Sequence, residues 1–303
     1  MTRGLLLRMA GSPTIERFVK RNGMSAGFAR RFIAGETMEE TVTPVKSINA
    51  KGMTATLDYL GENVSQVNEA NESVAYYRKL FKFISENNLD ANISLKLTQL
   101  GLDISDELAT NNMHSILGEA AYYNQFVRID MEGSEYTERT IQIFFKLWED
   151  HKNFGTVIQT YLYRSEADVH RLIDAGARVR LVKGAYNEPQ QVAFPNKADV
   201  DASYVKLTQE LLKRGKYPAI ATHDPVIIGA TNKFAATENI DQSRFEYQML
   251  YGVRRDLQDQ LSKDGYNMRV YVPFGTQWYG YMMRRLAERP ANLWFVLKNL
   301  LRN

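Results

Sequence analysis

Short apolar runs alternate with longer amphipathic stretches along most of the chain, and this alternation constrains the fold more than any other feature. The stretches between the runs have helical spacing, as in 137–148, where Ile141, Phe144, Phe145 and Trp148 share one face. The runs are mostly apolar on both sides of a pleat, which is typical of parallel strands buried on both faces. The eight runs, rich in β-branched and aromatic residues, lie at 53–57, 93–97, 126–131, 156–160, 178–182, 218–222, 245–250 and 268–272.

Eight strands, each followed by a helix, is the element count of a (β/α)8 TIM-type barrel. We predict an α/β fold of this class, with allowance for some distortion of the barrel. A doubly wound open sheet is the alternative. It usually carries a GxGxxG turn after its first strand, whereas here only Gly61 follows.

The 303 residues are expected to form a single domain, with an N-terminal helical segment at 1–45 and the barrel at 46–303. Extra helices are expected before the barrel, one of them starting at Ser12 or Pro13, followed by a solvated acidic linker at 36–40. The tail at 291–301 is predicted to be an amphipathic helix that packs on the barrel. A membrane anchor remains the alternative for this tail.

Charge and residue usage exclude several classes of site. The net charge is +3, from 38 Lys and Arg against 35 Asp and Glu. The sequence contains no run of basic residues, so no nucleic-acid partner is expected. The sequence has no cysteine, which excludes disulfides, thiol catalysis and a flavin tethered through sulfur. No metal site is expected, because the histidines are scattered. The apolar run at 4–7 is too short for a signal peptide, so a cytoplasmic location is expected.

Polar residues collect where the predicted strands end, which is where barrel enzymes place catalytic groups. Lys96 lies between apolar residues, so it must pair with a carboxylate, carry a depressed pKa or bind an anion. Asp130, at the end of the next strand, is its candidate partner, with a purely structural Lys–Asp pair as the alternative. The full set of polar strand ends is Lys96, Asp130, Gln159, Arg180, Lys183, Thr222, His223, Tyr251 and Tyr271.

Two further segments suggest ligand binding. The segment RLVKGAY at 180–186 offers two cations and a glycine, a combination that suits a polyanionic or electron-accepting ligand such as a flavin. His223 either contacts such a ligand or caps the turn before the next helix. Arg284 and Arg285 follow Tyr281 at helical spacing and form either a clamp for a small carboxylate or a solvated helix face.

Taken together, these segments resemble the proline dehydrogenase family, in particular its short monofunctional bacterial members. The resemblance extends from about Met53 to the C-terminus, with the matching segments in the same order. They are SLKLTQLG at 94–101, RIDME at 128–132, QTYL at 159–162, RLVKGAY at 180–186, ATHD at 221–224, FEYQMLYG at 245–252, RVYVPFG at 269–275 and RRL at 284–286.

The resemblance implies a barrel that binds FAD noncovalently and oxidises L-proline to Δ1-pyrroline-5-carboxylate by hydride transfer to flavin N5, the first step of proline catabolism to glutamate. It implies catalytic roles for Asp130 and Arg180. The substrate-binding residues it implies are Lys96, Arg284 and Arg285 for the carboxylate, with Tyr271, Tyr281, Tyr186 and Leu250 around the ring. The FAD contacts it implies are Met131, Gln159, Arg180, Lys183, Gly184, Ala185, Thr222, His223 and Glu288.

The resemblance also implies partners. Electrons are expected to pass to a quinone, with transient membrane contact at the inner face of the cell membrane, and a separate pyrroline-5-carboxylate dehydrogenase is expected to oxidise the product. Plain proline is favoured over hydroxyproline. Two other functions stay open: a Schiff-base lyase or aldolase with Lys96 or Lys183 as nucleophile, and a non-catalytic barrel that binds a carboxylate.

Overall fold

The computed structural model describes residues 31–288, and their side chains as far as residue 283. The strands form one closed sheet in sequential order, and β8 pairs in parallel with β1 to complete it. The strands are β1 Thr54–Tyr59, β2 Ala91–Leu95, β3 Val127–Ile129, β4 Phe154–Gln159, β5 Arg178–Val182, β6 Ala219–Ala221, β7 Glu246–Leu250 and β8 Asn267–Phe274. The predicted (β/α)8 barrel is confirmed, and all eight predicted strands overlap observed ones.

A helix follows each strand, and one more precedes β1. The helices are α1 Val42–Asn49, α2 Val67–Glu86, α3 Asp106–Tyr122, α4 Ser134–Trp148, α5 Ser165–Asp174, α6 Lys197–Arg214, α7 Pro225–Thr237, α8 Arg255–Lys263 and α9 Trp278–Glu288. Short 3-10 helices occur at Glu39–Thr41, Thr98–Leu100 and Gln242–Arg244. The predicted helix start at Ser12 or Pro13 and the predicted tail helix at 291–301 lie outside the described residues.

The segment at 36–40 is exposed at its glutamates, as predicted, but it is more ordered than a plain linker. Glu39 and Glu40 begin a 3-10 helix, and Glu36 Oε1 accepts a hydrogen bond of 3.1 Å from Trp278 Nε1. Just before it, Ala34 N donates to Pro273 O at the end of β8. The chain before α1 is therefore attached to the same end of the barrel from which α9 begins.

The hydrophobic core lies between the strands and the surrounding helices. Phe154 points outward from β4 and packs against Phe144 and Trp148 of α4, with ring centroids 4.9 and 5.4 Å from its own. Burial of each such side chain contributes about 1.5–3 kcal/mol, which is why the apolar stripe of an amphipathic helix faces the sheet. The helical spacing seen at 137–148 therefore marks the face of α4 that contacts the strands.

The inside of the barrel is polar, so the prediction of strands apolar on both faces is wrong for the inner face. Successive side chains on each strand point alternately toward the helices and toward the interior, so residues two apart share a face. The inward positions carry Thr56, Asp58, Asn92, Ser94, Lys96, Arg128, Asp130, Gln159, Arg178, Arg180, Glu246, Gln248, Arg269 and Tyr271. Many of these are buried, and hydrogen bonds join them across the barrel. Buried polar groups require such partners, and here other strands of the barrel supply them.

The lower half of this interior is built around Arg128, which is 1% exposed. Its Nη1 donates to the carbonyl oxygens of Arg178 at 2.5 Å and Thr156 at 3.2 Å. A Cβ atom at Gly155 would lie 2.6 Å from this nitrogen, so only glycine leaves room for the guanidinium. Burial, together with Arg180 and Arg178, lowers the pKa of Arg128 well below its usual range. The floor of the barrel is thus filled by buried polar side chains, and the opposite end is left for a site.

Candidate active site

The barrel mouth, meaning the C-terminal ends of the strands and the loops that follow, is organised around the carboxylate of Asp130. Its Oδ1 accepts hydrogen bonds from Ser94 Oγ at 2.6 Å and Arg180 Nη1 at 2.8 Å. Its Oδ2 accepts one from Tyr271 OH at 2.7 Å. Side chains from β2, β5 and β8 therefore meet at a carboxylate that directly follows β3, which fixes their relative positions.

Arg180 is 4% exposed, yet part of its guanidinium has no hydrogen-bond partner among the described residues. Its Nη1 is held by Asp130, and its guanidinium carbon lies 5.1 Å from the centre of the Tyr271 ring. The atoms Nε and Nη2 are buried without an acceptor among residues 31–283. Because buried donors are almost always paired in native proteins, these two are suited to an acceptor that a bound ligand supplies.

Lys96 contacts two carboxylates rather than the one that the sequence suggested. Its Nζ lies 3.4 Å from Asp58 Oδ1 and 4.0 Å from Asp130 Oδ2. Burial alone lowers the pKa of this ammonium, but Asp58 and Asp130 raise it, and the net effect is a pKa above the ordinary value. Lys96 is therefore a cation that is suited to holding an anion, and it lacks the depressed pKa that a Schiff-base nucleophile requires.

Tyr271 and Leu250, two of the residues expected around the substrate ring, are neighbours across β7 and β8. Burial, followed by the charges of Asp130 and Asp58, raises the pKa of Tyr271 well above its usual range. The phenol therefore stays protonated and donates to Asp130. Tyr281 is buried on α9, and Tyr186 lies half-buried in the loop after β5. Each of these residues is thus found on an element that reaches the barrel mouth.

A second group of expected ligand contacts forms around Gln159 at the end of β4. Its side-chain nitrogen donates to the carbonyl oxygen of Glu132 at 2.7 Å. Its side-chain oxygen accepts from Ala185 N at 3.4 Å and Tyr161 OH at 3.3 Å. Gln159 therefore joins the end of β3 to the loop after β5. Met131 and Gly184, the other members of this group, belong to those two segments.

The third group lies at the ends of β5 and β6. Lys183 Nζ lies 2.6 Å from Asp201 Oδ1 and 3.1 Å from Asp224 Oδ2. Asp224 also caps α7, since its Oδ1 accepts from Val226 N at 3.1 Å. His223 Nε2 accepts from Leu250 N at 3.0 Å, and Thr222 Oγ1 accepts from Asp224 N at 3.1 Å. The sequence left open a capping role for His223, but the residue that caps α7 is its neighbour Asp224.

Arg284, Arg285 and Glu288 lie on α9, but their side chains are outside the described part of the chain. The first turn of that helix is attached to the segment before α1 through the Trp278–Glu36 hydrogen bond. Whether these three residues join the site therefore stays a prediction.

The family model described as proline dehydrogenase matches residues 41–298, which is most of the chain. The chain belongs to the proline dehydrogenase family. It is 45% identical over 302 residues to proline dehydrogenase 1 of Bacillus subtilis strain 168, with 100% of both chains covered. It is 37% identical over 305 residues to the proline dehydrogenase of Deinococcus radiodurans, with 99% and 98% covered. The predicted family is confirmed, and with it the assignment of the protein as an oxidoreductase.

A solved structure supports the fold of this proline dehydrogenase family member. It is proline utilization A from Bdellovibrio bacteriovorus inactivated by N-propargylglycine, with a TM-score of 0.81 and 30% identity. The alignment covers 86% of this chain but 32% of that one, so the chain spans about a third of the length of that protein. Among the described residues, no helix is both long enough and apolar enough to cross a bilayer.

Two carboxyl groups at the mouth were not found from the sequence or from the family resemblance. Asp58 is the second-last residue of β1, directly after the predicted run at 53–57, and its inward position follows from the pleat. Glu132 is buried beyond the end of β3 and accepts from Thr98 Oγ1 at 3.0 Å. Burial raises the pKa of Glu132 to about 7, with Lys96 opposing the rise.

Replacing Glu132 with glutamine is expected to stabilise the protein at alkaline pH. Because the pKa of this carboxyl group is raised in the folded state, the protein loses stability as the pH rises from about 4.5, the ordinary pKa of glutamate, to about 7. Above that range the ionised form costs roughly 3 kcal/mol, and the neutral amide avoids this cost. Chemical denaturation should therefore show E132Q more stable than the wild type at pH 8 and similar at pH 5. Equal stability at both pH values would contradict this, and E149Q, at an exposed position, controls for charge removal alone.

Replacing Gly184 with alanine is expected to disrupt the loop after β5. Gly184 has φ +123, and a Cβ atom there would lie 2.4 Å from the Tyr161 ring. Backbone strain of this kind costs roughly 1–3 kcal/mol, to which the clash adds. The free energy of unfolding, measured by urea denaturation, should therefore fall. G118A is the control, because no atom lies within 4 Å of its added Cβ on α3, and it should raise stability by about 0.5–1 kcal/mol. Equal behaviour of the two variants would contradict this account.

One group of potential metal ligands occurs on the outer helices among the described residues. Glu166 and His170 of α5 and Glu210 of α6 place ligand atoms within 4.8 Å of one another. Glu166 also pairs with Lys206 at 2.6 Å, and His170 with Glu210. The cluster is a network of surface ion pairs and hydrogen bonds, and it is separate from the residues at the barrel mouth.

Proposed function

We propose that the protein oxidises L-proline to Δ1-pyrroline-5-carboxylate with noncovalently bound FAD, by hydride transfer to flavin N5. The observation that supports this most directly is the pairing of two kinds of cation around Asp130. The Lys96 ammonium suits a substrate carboxylate, and the buried donors of Arg180 suit an electron-accepting ring. Asp130 lies 2.8 Å from Arg180 Nη1 and 4.0 Å from Lys96 Nζ, so the two cations lie close to each other.

The residues at the mouth fit a flavin. Arg180 offers buried donors that lack an acceptor among the described side chains, and a guanidinium can bond a ring nitrogen and stabilise negative charge that arrives there. Gly184 leaves no side chain at a point where the loop after β5 approaches Tyr161. The chain has no cysteine, so attachment through sulfur is excluded and noncovalent binding is proposed. The proposed FAD contacts are Met131, Gln159, Arg180, Lys183, Gly184, Ala185, Thr222, His223 and Glu288.

When bound, FAD supplies the hydride acceptor. The main roles of the protein are therefore to align the substrate with the cofactor and to exclude water. Lys96 binds the carboxylate, together with Arg284 and Arg285. Tyr271, Tyr281, Tyr186 and Leu250 enclose the ring of the substrate. Asp130 holds Arg180 and Tyr271 in fixed orientations through its two oxygens. No protein nucleophile is required, and proline can bind as the neutral amine because the surrounding cations disfavour an ammonium.

Product analysis tests this proposal. The purified protein, supplied with FAD and a soluble quinone, is incubated with L-proline and separately with hydroxyproline, and the products are identified by mass spectrometry. We expect proline to lose two hydrogens and hydroxyproline to be a poorer substrate. Turnover that is independent of FAD would instead favour a Schiff-base enzyme. Saturable binding of proline without turnover would favour a binding protein.

Replacing Arg284 or Arg285 with alanine is expected to raise the KM for proline strongly. Truncating one partner of a desolvated charge pair costs about 2–5 kcal/mol of binding, which is a large factor in KM. Steady-state kinetics with L-proline measure the effect, and circular dichroism checks that the variant is folded. A near-normal KM and turnover in either variant would show that the residue does not belong to the carboxylate clamp.

The wider setting is proposed on the same basis. Electrons pass from the flavin to a quinone. The protein is cytoplasmic, and it therefore contacts the inner face of the cell membrane at least transiently. The product passes to a separate pyrroline-5-carboxylate dehydrogenase. Activity measured with quinone-loaded vesicles, compared with detergent-solubilised quinone, tests the membrane part of this proposal.

A further inference from the structure

Asp58 is the closest carboxylate to the Lys96 ammonium among the described residues. It comes from β1, its side chain is 1% exposed, and its Oδ1 lies 3.4 Å from Nζ. Asp130 lies farther from Nζ, at 4.0 Å, and three other donors from Ser94, Arg180 and Tyr271 occupy its oxygens. Asp58 is therefore the principal ionic partner of Lys96.

We propose that Asp58 is a positioning residue that holds the Lys96 ammonium in place for the carboxylate of the substrate. The inference rests on the proposed function, which assigns Lys96 to that carboxylate. A lysine side chain is a flexible stem with roughly 2 kcal/mol of rotamer entropy, so an anchored ammonium binds an anion better than a mobile one. An ammonium has three donors, so a bond to Asp58 leaves others for the substrate.

The charges at the mouth support this role. Each of the two cations has its own nearest carboxylate. Lys96 lies nearest to Asp58, and Arg180 pairs with Asp130. Without the charge of Asp58, Lys96 would turn toward Asp130 and compete there with Arg180. Asp58 thus keeps the proposed substrate-binding cation separate from the proposed flavin-binding one.

Binding of an inert carboxylate tests the role without depending on turnover. Cyclopentanecarboxylate has the ring and carboxylate of proline but no nitrogen to oxidise, and its Kd for the FAD-loaded full chain can be measured by calorimetry. We expect D58N to weaken binding by about tenfold or more, and D58E, which keeps the charge, to weaken it less. In a K96M background, D58N should add no more than about a twofold loss, because Asp58 acts through Lys96.

The pH dependence gives a second readout that a merely structural role would not change. The groups that interact with Lys96 include Asp58, Asp130, Glu62, Tyr186 and Glu132, and the two aspartates have the largest raising effect on its pKa. With Asp58 neutralised, the alkaline pH at which carboxylate binding is lost should move to a lower value.

The control is D168N. Asp168 is another buried aspartate, it lies on α5, and its carboxylate pairs with Arg164 at 2.6 Å. The substitution should lower stability and leave the Kd unchanged. An unchanged Kd in D58N, or an equal loss in the wild-type and K96M backgrounds, would overturn the inference. If K96M itself binds cyclopentanecarboxylate as tightly as the wild type, the proposed role of Lys96 fails, and the inference fails with it.

Discussion

Replacing Asp130 with alanine is expected to impair both stability and catalysis. The substitution removes the acceptor for Ser94, Arg180 and Tyr271 in one step. Arg180, 4% exposed, would be left as a buried cation without its partner, and breaking such a pair costs about 3–5 kcal/mol. Loss of alignment at the reacting centre should lower kcat by on the order of 10²-fold in addition.

Urea denaturation and steady-state kinetics measure these two effects separately. The matched control is D168A, because Asp168 is also buried in an ion pair with an arginine, but on the outer helix α5. D168A should lose stability while the folded fraction retains kcat. If D130A and D168A lost stability alike and both kept kcat, Asp130 would be a structural residue only.

Replacing Arg180 with methionine is expected to slow reduction of the proposed flavin by about 10²–10³-fold, the size of effect seen when a preorganised donor to developing charge is removed. The side chain keeps much of its volume, but the donors Nε and Nη2, buried without an acceptor among the described residues, are lost. Asp130 keeps hydrogen bonds from Ser94 and Tyr271, so the loss of stability should be smaller than in D130A.

Stopped-flow reduction of the FAD-loaded variant by proline measures the rate, and a redox titration measures the flavin potential. R180K is the companion variant, because lysine keeps the charge and loses the planar fork of donors. We expect R180K to recover part of the potential and little of the rate. Wild-type reduction kinetics in R180M would show that Arg180 does not contact the flavin.

The fold could be predicted because the outward faces of the strands and the apolar faces of the helices dominate the sequence pattern. The run at 178–182, for example, coincides with β5. The polar inner face was not predicted. Polar residues at alternate positions of a short run, such as Arg178 and Arg180, were not assigned to the inward face, and the strands were described as mostly apolar on both faces. Strand ends were informative because a barrel gathers all of them at one mouth.

The partners of the site residues could be predicted only in part. Asp130 was found because it ends a strand, but its bonds to Arg180 and Tyr271 span 50 and 141 residues of sequence. Asp58 was missed because its contact with Lys96 depends on the register of β1 against β2, where Asp58 lies beside Ser94. Closing the barrel requires a fixed stagger between its strands, so this register depends on the whole sheet as well as on local sequence.

The measurement that tests the central claim most directly is an absorbance spectrum of the purified protein, taken before and after anaerobic addition of L-proline. Noncovalently bound FAD whose absorbance bleaches on addition of proline is the expected result, since cofactor, substrate and hydride transfer are then seen together. FAD that proline leaves unbleached would contradict the assigned substrate. A protein that neither contains FAD nor takes it up would contradict the proposed chemistry as a whole.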